Sequence, residues 1–250
     1  MIDPATLSPW VWVLAPLVLV AGYLVFGLSG FGSTIISIPI LAHFLPISYL
    51  VPCLALIDCV SASFIGRTNR EHIAREEMKW LIPVTIVGFV IGATILVKVP
   101  DIYLRVALGV FAVAVGIHGI VNPVIVNRVS RWWVVPTGLF GGAMSTTFGT
   151  GGPIYATYLV ARLPDKDQIR ATMSTLIAFS AIVRAITYVV TGLITLSLLV
   201  GALIAAPFAF LGLRLGSRIH VRMSQRQMRR LIGCLLIVTG SGLLIRSLAQ

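Results

Sequence analysis

The sequence predicts an all-α polytopic membrane protein. It reads as an inverted repeat of two halves, each a broken or re-entrant helix pair followed by three spanning helices. Three observations carry that expectation. First, 58% of the 250 residues are hydrophobic and only 11% are charged, with a mean hydropathy of +1.00, whereas an average soluble domain is roughly 25% charged. Second, a glycine-rich break occurs twice inside apolar stretches, as Phe26-Gly27-Leu28-Ser29-Gly30-Phe31-Gly32-Ser33-Thr34 and as Gly142-Ala143-Met144-Ser145-Thr146-Thr147-Phe148-Gly149-Thr150-Gly151-Gly152-Pro153. Phe31-Gly32 precedes Phe148-Gly149 by 117 residues, and Leu45-Pro46 precedes Leu163-Pro164 by 118. Third, 15 of the 19 Lys and Arg residues lie in the loops 67–79, 122–131, 162–170 and 214–230. An excess of Lys and Arg in loops marks the cytoplasmic side.

Hydropathy, punctuated by Gly, Pro and charge, gives ten segments. The first, 10–29, begins at Trp10 with no Lys or Arg before it, the first being Arg67. A secretory signal needs a basic start, so this segment is read as retained. The second, 33–45, follows the first break and is too short to span a core of ~30 Å. Segment 47–66 carries Asp58 and ends at the basic loop. Segments 80–98 and 103–121 complete the first repeat, about 10–121. Segment 132–148 runs into the second break, and 152–162 is again short. Segments 169–190, 193–213 and 229–248 complete the second repeat, about 132–248, so that residues 1–250 form one membrane domain.

The charge pattern selects among topologies. With five segments per half, all four basic loops share one side, opposite Lys98, Arg105 and Arg246. With each broken pair counted as one crossing, the basic loops 67–79 and 214–230 fall on opposite faces, against the positive-inside bias. The inverted arrangement is preferred. The same placement accounts for the net charge of +11 without nucleic acid as a partner; the bilayer is the partner it implies.

Two interrupted membrane segments in corresponding halves point to a transporter's substrate site. Broken backbone is tolerated at membrane depth only where it is buried in protein or lines a wet cavity. Thr150-Gly151-Gly152-Pro153 reads as a helix start, with proline where an N–H would go unused. Glycines there allow close approach to N–H groups at the positive end of a helix dipole, an anion site. Ser33 and Thr34 place hydroxyls similarly after the first break. Glycines also serve close helix packing; duplication beside two short segments favours the site.

Asp58 and Arg184 are the acidic and the basic residue that fall in the middle of apolar segments. Such charges normally face a bundle interior. Arg184 lies on a helical stripe with Ser180, Thr187 and Thr191, flanked by Tyr188. Its planar fork suits an oxyanion. Three readings stand together: a counter-charge for an anionic substrate, a structural pair with Asp58, and an arginine reaching toward an interface. Asp58 is also a candidate proton or charge relay. The candidate substrate set is Ser29, Gly30, Phe31, Gly32, Ser33, Thr34, Phe148, Gly149, Thr150, Gly151, Gly152, Arg184 and Tyr188.

Cys53, Cys59 and Cys234 lie in apolar runs without a C-x-x-C pair, and His43 and His118 lack partners at metal-ligand spacing, so packing and interfacial roles are expected, with no metal or cofactor. The run Asn69–Glu77 reads as a solvated connection. No nucleotide-binding loop, Ser-His-Asp arrangement or paired catalytic carboxylates are present. A membrane-embedded enzyme would need acid/base or ligand pairs at one depth.

Gly27-Leu28-Ser29-Gly30-Phe31-Gly32 with Pro39, and Phe148-Gly149-Thr150-Gly151-Gly152-Pro153 with Tyr155, resemble the paired motifs of the sulfite exporter TauE/SafE family, also called the DUF81 membrane transporter group. The resemblance covers nearly the whole chain, although Ser29 and Phe31 interleave a motif that is more glycine-rich in the family. It implies a multi-pass protein of the bacterial inner membrane that exports sulfite or an organosulfonate such as sulfoacetate. An anion channel, or an uptake permease for thiosulfate or sulfate, is the alternative. One charge crossing 100 mV is worth ~2.3 kcal/mol, so a dianion gains about 4.6 kcal/mol on leaving a negative cytoplasm, which favours export.

Single cysteines placed in loops 67–79 and 214–230 of a cysteine-free background should react with an impermeant thiol reagent from the same side of the membrane. Labelling from opposite sides would overturn the inverted arrangement.

Overall fold

The structure, a computed structural model, describes residues 9–29, 33–65, 72–121, 129–218 and 225–248. Among them the chain forms α1 (Pro9–Ser29), α2 (Ser33–Leu41), α3 (Ile47–Ile65), α4 (Arg75–Lys98), α5 (Asp101–Val121), α6 (Val134–Phe148), α7 (Gly152–Arg162), α8 (Lys166–Val190), α9 (Leu196–Arg218) and α10 (Gln225–Leu248), with a 3-10 turn at Arg131–Trp133 entering α6. Each hydropathic segment corresponds to one helix, and the protein is all-helical over the described residues. The boundaries shift where charge extends a helix. α4 starts at Arg75, ahead of the apolar run from Trp80, with Glu76 and Glu77 in its first turn, where carboxylates complement the helix dipole.

Four helices are long and apolar enough to cross a membrane, over Arg75–Lys98, Asp101–Val121, Asp167–Val190 and Leu196–Gly216. At most 39% of the apolar window of any of them is buried within the protein. Val87, Val90 and Ile91 of α4 and Leu199, Leu203 and Ile204 of α9 stay exposed. Exposed apolar surface on that scale in successive helices requires an apolar solvent. Trp80, Trp132 and Trp133 are also exposed, at the starts of α4 and α6, where an aromatic belt meets the headgroups.

The chain divides into two compact units, Met1–Cys53 with Val99–Pro123 and Thr195–Gln250, and Leu54–Lys98 with Val124–Ile194. Neither unit is one half of the sequence; each draws helices from both halves.

In the first unit α1 packs along α9, α5 along α10, and the short α2 against α1 and α10. Lipid offers no hydrophobic drive between helices, so close backbone approach through small residues supplies the packing. A methyl group on Gly212 or Gly216 of α9 would strike the carbonyls of Val20 or Leu24 of α1. Gly109 abuts Gly240, and Gly116 abuts Gly233, so α5 and α10 run antiparallel. Gly22 lies against Ser33 and Ser37, which requires α2 to fold back along α1.

In the second unit α6 packs along α4, and α7 and α8 complete the group. Gly88 meets the Leu139 carbonyl, Gly92 the Ala143 carbonyl and Gly142 the Thr85 carbonyl, so these two helices run parallel. Gly151 sits against Gly141, so α7 doubles back on α6. Its eleven residues reach only about 16 Å at 1.5 Å per residue. Met78, Leu81, Tyr155, Tyr158, Leu159 and Leu176 form the core between α4, α7 and α8.

The packing glycines reveal a register that the breaks do not. Pro83, Gly88, Gly92, Gly109 and Gly116 recur 124 positions later as Pro207, Gly212, Gly216, Gly233 and Gly240. Replacing Gly92 or Gly216 with valine should destabilise the protein by about 1–3 kcal/mol through overpacking. Val90→Ala, on an exposed face, should stay within about 0.5 kcal/mol. Thermal unfolding of the purified protein in detergent distinguishes the two.

Candidate functional site

The second break is a helix end followed at once by a helix start. Gly149 takes a left-handed φ of 69°, which only glycine adopts without cost. Its N–H donates to the Ser145 carbonyl at 2.9 Å, and the Thr150 N–H donates to the Met144 carbonyl at 3.3 Å. This is a Schellman-type stop, satisfying carbonyls that the helix leaves open. α7 then begins at Gly152 with Pro153 in its first turn. The leading N–H groups, at Gly151 and Gly152, have no preceding helical carbonyl to bond. Gly151 is itself tightly packed, because a methyl group there would meet the Gly141 carbonyl, Ser145 and the Tyr155 ring.

α8 supplies the side chains that serve this break. The Tyr188 hydroxyl donates to the Thr146 carbonyl, one of the last-turn acceptors of α6 that helix geometry strands. Ser180 Oγ and Ser145 Oγ share a hydrogen bond of 2.8 Å. From α4, the Gly92 carbonyl accepts from Thr147 Oγ1 at 3.1 Å. Arg184 donates from Nη1 to the Ser145 carbonyl at 3.3 Å and from Nη2 to Asp58 Oδ2 of α3 at 3.2 Å. The side chains of Arg184 and Asp58 are only 4% and 8% exposed, so this arginine does not reach for an interface. Arg184 Nε, Thr150 Oγ1 and Tyr155 Oη are buried with no hydrogen-bond partner among the described residues.

The structure therefore gathers Phe148, Gly149, Thr150, Gly151, Gly152, Asp58, Arg184 and Tyr188 in the second unit. Phe148 is core. Ser29, Ser33 and Thr34 belong to the first unit, where Ser33 and Thr34 are buried at the start of α2. Gly30, Phe31 and Gly32 lie outside the described residues. The polar stripe on α8 divides: Ser180 and Arg184 face the break, whereas Thr187 and Thr191 bond carbonyls of their own helix.

One expectation is corrected. The connection up to Glu77 was expected to be solvated, yet Glu77 is 5% exposed. It accepts from Tyr158 Oη at 2.6 Å and from Arg162 Nε at 3.0 Å, with Arg131 at 3.6 Å. Tyr158 and Arg162, one turn apart on α7, clasp the start of α4. Their i, i+4 spacing on a short helix was the available signal.

Lipid-facing helices, a short helix folded back in each unit and a buried charge pair beside the α6–α7 break define a polytopic membrane protein of the transporter class. The chain belongs to the sulfite exporter TauE/SafE family, whose sequence profile matches residues 14–243. It is also similar to the "Probable inner membrane transporter protein TsaS" of Comamonas testosteroni, 25% identical over 190 residues that cover 75% of this chain and 80% of that protein. No solved structure matches.

Tyr188→Phe should cost about 1–3 kcal/mol, because it strands the Thr146 carbonyl in a buried site. A loss well below that in thermal unfolding would mean that the carbonyl finds another donor.

Proposed function

We propose that the protein is a secondary transporter that exports a small sulfur-containing anion, sulfite or an organosulfonate such as sulfoacetate, across a bacterial inner membrane. The observation that carries this reading is Arg184: a permanent cation, buried beside a broken helix, whose Nε–H has no partner among the described residues. Thr150 and the leading N–H groups at Gly151 and Gly152 add contacts to the anion in the second half, and Tyr188 serves the site by holding the end of α6 through the Thr146 carbonyl. Ser29, Gly30, Phe31, Gly32, Ser33 and Thr34 are the first half's counterpart. Asp58 serves as the charge or proton relay. The family's description as sulfite exporters and the relative's inner-membrane name support the substrate class and location.

The inverted repeat belongs to the same proposal, with one transport domain over the whole chain. In its support, the first helix of each half packs parallel to the fourth helix of the other, as α1 on α9 and α6 on α4, while the two fifth helices run antiparallel. Counting each broken pair as one crossing would make α5 and α10 parallel. The membrane potential sets the direction, since an anion leaves a negative compartment downhill.

Thermal-shift and binding titrations against sulfite, sulfoacetate, thiosulfate, sulfate and chloride test the reading. The sulfur oxyanions should stabilise the protein and chloride should not. Arg184→Lys keeps the charge but loses the fork, so affinity should fall by about tenfold or more, as expected for a charge-assisted hydrogen bond. Undiminished affinity in a folded Arg184→Gln protein would eliminate the contact.

A further inference from the structure

A threonine inside a helix ordinarily spends its proton on the carbonyl one turn back, as Thr94, Thr146, Thr157, Thr175, Thr187 and Thr239 do. Thr85 of α4 does not. It is fully buried, and its Oγ1 has no hydrogen-bond partner among the described residues. The hydroxyl instead faces that of Tyr155 on α7, which lies in turn in the field of Arg184.

Backbone holds Tyr155 in that place. A methyl group on Gly141 of α6 or on Gly151 would meet its ring, so these two glycines form the bed on which the ring lies. Gly151 also abuts Ser145, whose carbonyl accepts from Arg184 Nη1. Thr85, Tyr155, Gly151, Ser145 and Arg184 therefore form one continuous strip of the second unit, with Thr150 beside it in the chain.

Buried polar atoms without partners are rare in native proteins, and a group of them marks the place of a water or a ligand. The excess along this strip is one of donors. Arg184 Nε–H can only donate, and α7 starts with no side-chain cap on its leading N–H groups. The hydroxyls of Thr85 and Tyr155 bring two protons, and a bond between them would use one. A guest that absorbs such an excess offers several acceptor oxygens and asks for none in return, as a sulfite dianion or a sulfonate group does.

We propose that Tyr155 is a further anion-binding residue, whose hydroxyl donates to the substrate held by Arg184, and that Thr85 positions it by donating to the Tyr155 oxygen. This rests on the reading of Arg184 as the anion's counter-charge. Tyr155 abuts Gly151 and lies in the arginine's field, so it takes the place next to the anion. Thr85 supplies its proton from α4, and a hydroxyl that accepts a hydrogen bond donates the more strongly.

Two buried tyrosines then give opposite expectations. Tyr188→Phe removes a hydroxyl that has a partner and should lower the melting temperature. Tyr155→Phe removes one that has none, so the ligand-free protein should melt at the wild-type temperature or a few degrees above it. Its affinity for the tighter-bound of sulfite and sulfoacetate should fall about tenfold or more. Thr85→Val, which keeps the shape, should weaken binding less, and the double variant should bind no worse than Tyr155→Phe alone, because the threonine acts through the tyrosine. A melting temperature that falls in Tyr155→Phe as far as in Tyr188→Phe, failure to fold included, would overturn the inference. So would undiminished affinity in Tyr155→Phe, which would assign the hydroxyl to buried water. Losses in the two single variants that simply add would overturn the role of Thr85. Binding that is lost in Arg184→Gln beside any of these results leaves the anion site standing. Binding that survives Arg184→Gln, or that the wild-type protein lacks for both anions, removes the site and the inference together.

Discussion

A polypeptide that stops its helix at membrane depth strands carbonyls at one end and N–H groups at the other, and hydrocarbon offers neither of them a partner. The α6–α7 break is organised around that debt. Gly149 turns the chain left-handed so that two N–H groups return to α6. The Tyr188 hydroxyl reaches the Thr146 carbonyl, and Arg184 adds to the Ser145 carbonyl. α8 must therefore lie against the end of α6, and its polar face follows from this need as much as from any ligand. Asp58 then answers the charge that Arg184 brings in.

The glycines satisfy a separate requirement. Helices with apolar outer faces gain nothing from hiding them, so they associate where backbones can touch. Gly88, Gly92 and Gly142 bring α4 and α6 together, and Gly212 and Gly216 do so for α9 against α1. The side chains left over on those helices face outward, which is why so many Val, Leu and Ile residues remain exposed.

Much of this was legible in the sequence. Apolar runs located the ten helices of the described residues, because spanning segments are set by length and hydropathy, and the second break read correctly as a helix start at Gly152-Pro153. Asp58 and Arg184 were found as intramembrane charges, but their pairing could not be chosen over the alternatives: it depends on the rotation of α3 and α8 about their axes, which packing decides. Glu77 was misplaced because a charged run beside an apolar segment looks solvated until a partner such as Tyr158 is known. The 124-residue register is not legible in the sequence, because isolated glycines in apolar helices carry no local pattern; only their contacts single them out.

Under the inverted repeat proposed above, those contacts carry a consequence for ancestry. Gly109 touches Gly240 and Gly116 touches Gly233, while Gly233 and Gly240 are the 124-residue repeats of Gly109 and Gly116. The first glycine of α5 meets the second of α10, and the reverse. That reciprocity is the rule of an isologous interface, in which identical surfaces meet about a two-fold axis. A half-length chain bearing Gly-x6-Gly on its fifth helix would be its own partner, inserted in both orientations. Fusing two such chains would turn a homodimer contact into the α5–α10 packing of a single polypeptide, free thereafter to place Asp58 in one copy and Arg184 in the other.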